Sequence, residues 1–332
     1  MKKILIPTLL TALLAAGVSC SKWTEPEALD FPYTPPGQEN AAVYEAYLKQ
    51  LRDYKKSDHK ILMVEFAASE GRPTRQPDHL NSLPDIVDYV CVSHPENMTS
   101  ELVDEMRELL SRKGTQSLAN VDYMAIQNDW DEMISEMGEA EEIPGDAEFQ
   151  EYCRQRTKAM IESCDKFGFA GIVVAYKGTI TSPGQKIFMD MVYQWRQTHR
   201  NRIMIMHGFI QNLLDEYRPL VGDSRYIVLW ANTANAASDL TRYVAGRLDS
   251  YVPSDRFMVE SAIPPLQNPT QTGPTPAVAA EWLSTVDERF SKSGIYITNA
   301  QDDYYSTGRI YNSIRSAAEM ITSMATDDQQ TE

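Results

Sequence analysis

Residues 167–178, FGFAGIVVAYKG, have the composition of a buried β-strand that ends at a functional site. The run from Phe169 to Tyr176 is apolar without alternation, which is typical of a strand covered on both faces. A polar helical pattern at Phe149–Phe167 precedes it, and loop residues follow Gly178. This order predicts a helix that returns the chain to a parallel sheet.

Seven further apolar runs of strand length occur along the chain, separated mostly by helical patterns. Strands and helices that alternate in this way indicate an α/β fold with a parallel sheet. Eight units favour a single-domain (β/α)8 TIM barrel, and a doubly wound open sheet is the alternative. No glycine-rich phosphate loop follows the first run, which argues against nucleotide binding. The other seven runs are 60–66, 87–93, 115–122, 202–207, 225–231, 256–260 and 294–299.

The two ends of the chain are not expected to belong to the barrel. Residues 1–19 have the basic start and short apolar run of a lipoprotein signal peptide, and AGVSC resembles a lipobox ending at Cys20. Lipidation of Cys20 is therefore expected, with a plain secretory signal as the alternative. Residues 20–38 read as a proline-rich tether, residues 39–326 as the barrel, and residues 327–332 as a polar tail.

Charge and cysteine usage limit the partners and cofactors. The formal net charge of −16 argues against nucleic acid, because few cations are present to neutralise phosphates, and it suits a polar carbohydrate. With Cys20 lipidated, Cys91, Cys153 and Cys164 form an odd set, and we expect buried free thiols. No cysteine or histidine spacing typical of a metal site occurs, and no cofactor is expected.

Functional residues of such a barrel lie where its strands end. Trp130 is expected in a loop as an exposed platform, whereas His94 and His207 are expected to be structural. Glu65 could instead pair with a basic neighbour, Trp230 could belong to the core, and the Asp302–Tyr305 cluster could cap the final helix. The candidate ligand-binding residues are Glu65, Asn120, Asp122, Trp130, Tyr176, Lys177, Trp230, Asn232, Glu260, Asn299, Asp302 and Tyr304.

The central strand resembles the signature strand of family 18 glycoside hydrolases, the chitinases and endo-β-N-acetylglucosaminidases. That signature places acids at four positions. In this sequence the four positions are occupied instead by Ala170, Val173, Ala175 and Lys177, whereas the glycine of the signature is kept as Gly171. The segment 294–311, GIYITNAQDDYYSTGRIY, is similar to the last strand and loop of endo-β-N-acetylglucosaminidase-like members from Bacteroidetes.

The resemblance implies that hydrolysis is lost. In the family's substrate-assisted mechanism the terminal Glu is the acid and an Asp two residues earlier orients the acetamido group. Lys177 and Ala175 stand at those positions. A lysine, with an ordinary pKa of about 10.4, is a poor proton donor and would repel a developing oxocarbenium charge. A two-carboxylate mechanism using Glu260 as the nucleophile would also lack its partner near Lys177.

The sequence thus predicts a catalytically inactive, cell-surface glycan-binding lipoprotein of the outer membrane. By the resemblance it would capture N-acetylglucosamine-containing or high-mannose N-glycans for partner glycosidases and import proteins. An active glycoside hydrolase with displaced acids, such as Glu65, Glu260 or Asp302, is the main alternative. A scaffold without affinity for glycans is the third.

Overall fold

The computed structural model describes residues 40–137, 143–267 and 273–328. The expected signal peptide, Cys20, the tether and residues 329–332 lie outside these ranges. The chain divides into an N-terminal unit that ends at Glu45 and a second unit from Ala46 onward. Of the first unit, the described part is residues 40–45, where the first helix begins.

The second unit is a closed barrel of eight parallel strands. Each strand pairs with its neighbours in the sequence, and β8 pairs with β1, for example Leu62 with Ile295. The predicted (β/α)8 barrel is therefore confirmed, and the open-sheet alternative is wrong. The strands are β1 Ile61–Ala67, β2 Tyr89–Ser93, β3 Gln116–Asp122, β4 Gly171–Tyr176, β5 Ile203–Gly208, β6 Tyr226–Leu229, β7 Phe257–Ala262 and β8 Lys292–Thr298.

The α-helices of the described residues surround the barrel or precede it. They are α1 Ala41–Tyr54, α2 Ser100–Glu108, α3 Tyr123–Glu136, α4 Asp146–Phe167, α5 Gln185–Thr198, α6 Pro219–Gly222, α7 Ala237–Ala245, α8 Pro276–Ser284 and α9 Asn312–Asp328. A π-helical turn, Leu109–Lys113, extends α2. The link between β1 and β2 contains two short 3-10 turns, Gln76–Asp78 and Leu80–Ser82. No helix in the described part of the chain is long and apolar enough to cross a membrane.

Short polar residues start several helices. Asp122 accepts a hydrogen bond from Met124 N at 2.8 Å and caps α3, and Thr275 caps α8 through Val278 N at 3.3 Å. Such caps satisfy N–H groups that have no partner within the helix. Because Asp122 is also the last residue of β3, the cap joins strand and helix without an intervening loop.

Two apolar layers build the core. Ten buried residues, including Met63, Cys91, Val173 and Tyr296, fill the inside of the barrel. A larger layer lies between the sheet and the helices. Strand alternation places Val173, Ala175 and Lys177 toward the inside and their neighbours toward the helices. Trp195 and Trp282 are buried in the core, and Cys91, Cys153 and Cys164 are buried free thiols, as expected.

Gly171 marks the closest approach of β4 to β5. A Cβ added there would lie 1.9 Å from the carbonyl oxygen of Ile203, a backbone atom that cannot rotate away. The glycine of the signature strand is therefore required by the packing of two strands. This requirement is independent of any catalytic role.

We expect Gly171→Ala to lower the free energy of unfolding by about 1–3 kcal/mol, because the added methyl overpacks the strand pair. Gly222→Ala is the control, since no atom lies within 4 Å of the added Cβ there. Urea unfolding of both variants measures the difference. Equal stabilities of the two variants would contradict the tight contact between β4 and β5.

Candidate functional site

A pocket of about 270 Å3 with polar and apolar lining opens at the carboxyl ends of the strands, between β1, β2, β3, β4 and the segment after β8. This is the end at which barrels of this kind carry their sites. We call it the mouth pocket. Its lining is Glu65, Ala67, Ser93, His94, Asn120, Asp122, Met124, Ala125, Asn128, Met160, Lys177, Asn299, Ala300 and Gln301. A larger cavity of about 530 Å3 lies at the opposite end, against the strand starts Ile61, Tyr89 and Gln116.

Glu65 organises one wall of the mouth pocket. Its Oε1 accepts a hydrogen bond from Ser93 Oγ at 2.6 Å, and its Oε2 accepts one from Asn299 N at 3.0 Å. The carboxylate therefore connects the ends of β1 and β2 to the residue that follows β8. Asn120 extends this network, because its Nδ2 donates to Ser93 Oγ at 3.4 Å.

A buried charge cluster of Lys177, His207 and Glu260 lies beside the mouth pocket. Glu260 Oε2 is 2.5 Å from His207 Nε2 and 3.0 Å from Lys177 Nζ. Lys177 Nζ also lies 4.6 Å from the centroid of the Trp230 ring, which itself packs against Phe209. The Lys177 ammonium is therefore held by a carboxylate and by an aromatic face.

The charge cluster fixes the protonation state of Glu260. Burial alone would raise the pKa of this carboxyl, but the adjacent His207 and Lys177 lower it to about 2. Burial also raises the pKa of Tyr296 and of Cys91, which are fully buried inside the barrel, well above their ordinary values. At neutral pH Glu260 is thus an anion that cannot donate a proton.

Two residues of the pocket wall adopt left-handed backbone angles. His94 has φ of 53° and Asn299 has φ of 56°, a region that residues other than glycine rarely adopt. Both follow directly after strands, β2 and β8. Strained backbone of this kind concentrates at binding and catalytic sites, which supports the assignment of a functional role to this end of the barrel.

The structure brings most of the candidate residues together. Glu65, Asn120, Asp122, Lys177 and Asn299 line the mouth pocket. Lys177 in turn contacts Glu260 and Trp230. Asp302 lies at the rim, where it accepts hydrogen bonds from Asn299 Nδ2 at 3.1 Å and from Leu266 N at 3.0 Å. Asn232 follows Trp230 in the chain and is half-buried outside the pocket lining.

Three candidates are placed differently from the prediction. Tyr176 points toward the helices, where it is 1% exposed and contacts Tyr123 and Phe188. The sequence did not predict this orientation, because a continuously apolar run does not show which of its side chains face the inside of the barrel.

Trp130 is not in a loop but on α3, and its ring packs 5.5 Å from that of Phe149. Tyr304 packs 5.5 Å from Tyr311, also away from the pocket. The cluster around it includes Asp303, which is fully buried and accepts hydrogen bonds from Ser313 N and Ile314 N of α9. This matches the alternative in which the acidic cluster caps the final helix.

Several residues of the site were not among the candidates. Ser93 is the last residue of β2, so its strand-end position could have identified it. His207 was expected to be structural, yet it belongs to the charge cluster. Gln301 joins the end of β1 to the last segment, because its Oε1 accepts from Ala67 N at 2.8 Å. Contacts between segments this distant in sequence have no local signal.

A possible metal-ligand set lies elsewhere among the described residues. His79, Glu101 and Glu105 bring ligand atoms within 4.8 Å of one another. His79 Nδ1 is already hydrogen-bonded to Glu105 at 2.6 Å, and Glu101 pairs with Arg72 at 3.1 Å. None of the three lines the mouth pocket. The arrangement is satisfied by protein groups and does not require a cation.

Solved structures define the class of barrel. An endo-β-N-acetylglucosaminidase from Cordyceps militaris aligns with a TM-score of 0.58 and 16% identity over 84% of this chain and 95% of that one. A chitinase of family 18 from Pseudoalteromonas aurantia aligns with a TM-score of 0.50 and 12% identity over 77% and 99%. At these identities the likeness establishes the fold alone, a (β/α)8 barrel.

The chain belongs to glycoside hydrolase family 18. The family model described as "Glycoside hydrolase family 18, BT1044-like" matches residues 24–320. The BT1044 structure itself aligns with a TM-score of 0.56 and 16% identity, over 86% of this chain and 95% of that one. Comparison with curated proteins gave no match. The resemblance seen in the degenerate signature strand is thereby confirmed.

The contacts of Glu260 predict the pH range in which its carboxyl group titrates. In a carboxyl 13C NMR titration we expect Glu260 to stay ionised down to about pH 2, whereas exposed glutamates titrate near 4.3. Lys177→Met should raise the pKa of Glu260, because the ion pair with the lysine ammonium group is lost. The signal is assigned by its absence in Glu260→Gln. A wild-type midpoint near 4.5 would contradict the ion pairing.

The same pKa sets the direction of acid stability. The folded value of about 2 lies below the ordinary 4.5, so the stabilising contribution is present above pH 4.5. It is lost as the pH falls from 4.5 toward 2.

Proposed function

We propose that this protein binds glycans at the mouth pocket without cleaving them. The observation that carries the proposal is the 3.0 Å ion pair between Lys177 and Glu260. It holds a cation where the family resemblance places the catalytic acid. In the same contact Glu260 is ion-paired, and Glu260 is the carboxylate best placed to substitute for the missing acid. The ligands we propose are N-acetylglucosamine-containing or high-mannose N-glycans.

The contacts of the other carboxylates argue against hydrolysis by displaced acids. Glu65 accepts two hydrogen bonds from protein groups and holds the pocket wall together. Asp302 accepts two hydrogen bonds at the rim. Glu260 carries a pKa of about 2, which is far from the value that a general acid needs near neutral pH. None of these three groups has the environment of a proton donor.

The lining of the pocket and the family support a sugar as the ligand. The wall offers carboxylates and amides for sugar hydroxyls, and Trp230 and Phe209 lie nearby, where aromatic rings could stack on a sugar face. A mutant of the Cordyceps militaris enzyme, aligned with a TM-score of 0.57, was solved in complex with fucosyl-N-acetylglucosamine-Asn. We extend this class of ligand to the present chain as part of the proposal.

We further propose that the protein acts at the cell surface. The lipobox-like sequence ending at Cys20 supports a lipid anchor in the outer membrane, followed by the proline-rich tether. From that position the barrel would pass captured glycans to glycosidases and import proteins. Labelling with radioactive palmitate, compared between the wild type and Cys20→Ala, tests the anchor. Equal labelling of the two chains would exclude lipidation at Cys20.

The function is tested by calorimetry on residues 21–332 with N-glycans and chito-oligosaccharides. The same mixtures are sampled overnight by mass spectrometry. We expect heat of binding and unchanged glycan masses. Cleaved glycan would instead establish a hydrolase with displaced acids, and the absence of heat with every glycan would favour a scaffold.

Restoring the acid alone should not restore hydrolysis. In Lys177→Glu, we expect no turnover above that of the wild type, because Ala175 and Val173 still lack the carboxylates of the signature. The new carboxyl would also face Glu260, which removes an ion pair and adds a like charge. Mass spectrometry of released oligosaccharide measures the outcome. Appreciable release by this single variant would count against the proposed loss of catalysis.

A further inference from the structure

One buried acceptor in the mouth pocket has no partner. Asn120 is 5% exposed and lies on the inward face of β3, where it lines the pocket. Among the described residues, no group donates a hydrogen bond to its Oδ1. Buried amide oxygens in native proteins nearly always have a donor from protein, water or ligand. Asn120 Oδ1 is therefore a position at which a bound molecule would supply a missing hydrogen bond.

The direction of the Asn120 amide is set by its neighbours. Glu65 is a carboxylate and can only accept, so Ser93 Oγ uses its single hydrogen in the 2.6 Å bond to Glu65. Toward Asn120, Ser93 Oγ can then only accept, and the amide must present Nδ2 to it. Oδ1 of the same amide then points away from Ser93 Oγ. The orphaned atom is thus an acceptor by the logic of the network.

Asn120 has carboxylates on its own strand and on the adjoining wall, while His94 and Asn128 also bring donors to the lining. Glu65 and Asp122 contribute carboxylates, and Gln301 uses both ends of its amide on the backbone groups of Ala67 and Pro77. The Lys177 ammonium lies at the pocket but is engaged by Glu260. A ligand group that only donates fits such a surface better than one that also presents lone pairs. Hydrogens on nitrogen, in an amide or an ammonium group, have this property.

We propose that Asn120 is the specificity-determining residue of the mouth pocket and accepts a hydrogen bond from the nitrogen of an amino-sugar residue. This inference rests on the proposed glycan-binding function. In the strand register Asn120 pairs with Val173, and Asp122 pairs with Ala175. The acceptors of β3 therefore lie beside positions of β4 where the signature acids are missing. Under this proposal, an acceptor on β3 binds the sugar nitrogen in place of the missing signature acids on β4.

Three oligosaccharides of equal length separate the alternatives. The β-1,4-linked tetramers of N-acetylglucosamine, glucosamine and glucose differ only at C2, which carries an acetamido, an ammonium or a hydroxyl group. Calorimetry on residues 21–332 should give at least one nitrogen-bearing tetramer an affinity at least about tenfold above that of the glucose tetramer, the usual effect of one buried hydrogen bond. The difference in affinity between the two nitrogen-bearing tetramers shows whether Asn120 binds the hydrogen of an acetamido or of an ammonium group.

Variants of Asn120 test its role in this preference. Asn120→Leu keeps the size of the side chain but removes the acceptor, so the ratio of affinities should fall to near one. Asn120→Asp keeps an acceptor and should retain a preference for a nitrogen-bearing tetramer. Asn201→Ala is the control, because it removes an exposed amide near the opposite end of the barrel. A ratio unchanged in Asn120→Leu would overturn the proposal.

Other outcomes are also decisive. If Asn120→Leu does not fold, Ser93→Ala replaces it, since this change frees the amide to rotate and should lower the affinity ratio. An unchanged ratio there would overturn the inference. Binding of the glucose tetramer as tightly as the others, or binding only of mannose oligosaccharides without any amino sugar, would reject it and leave the proposed function standing. No binding of any glycan would reject both.

Discussion

Closure of the barrel is the constraint on which the rest of the structure depends. Once β8 pairs with β1, every strand has two partners and the inward side chains must share a narrow interior. Ten buried residues fill its lower layers, and Gly171 gives β4 and β5 the space to approach. The inward polar residues Glu65, Asn120 and Lys177 lie above this packed floor, at the carboxyl ends. The site exists because the interior below it is full.

The charged residues at that end are arranged in two groups with different roles. Glu65, Ser93, Asn120 and Asn299 form a hydrogen-bonded wall that spans the join between β8 and β1. Lys177, His207 and Glu260 form a charge cluster on the facing strands. Removing one member of such a buried cluster leaves an uncompensated charge, so its members depend on one another. This mutual dependence ties Lys177 to its position at the end of β4.

The sequence was sufficient for the strands, because continuous apolar runs bounded by polar residues have few interpretations. It also predicted that Glu65, Asn120, Asp122, Lys177 and Asn299 would be close together, since strand ends meet at one rim. The sequence wrongly placed Tyr176 in the binding site. The direction of its side chain depends on the alternation along the strand, which a continuously apolar run does not show. The sequence failed for α3 as well, because Asp122 ends a strand and starts a helix with no intervening loop to mark the change. The partners of Glu260 lie on other strands, and no local pattern reveals them.

The hydrogen bonds of Glu65 have a kinetic consequence. The carboxylate ties together residues that are far apart in the chain, Ser93 and Asn299. A pocket wall held by internal hydrogen bonds needs little rearrangement to bind a ligand, so under the proposed function the ordering cost would fall mainly on the flexible sugar. Capture should then proceed in a single kinetic step whose rate scales with glycan concentration.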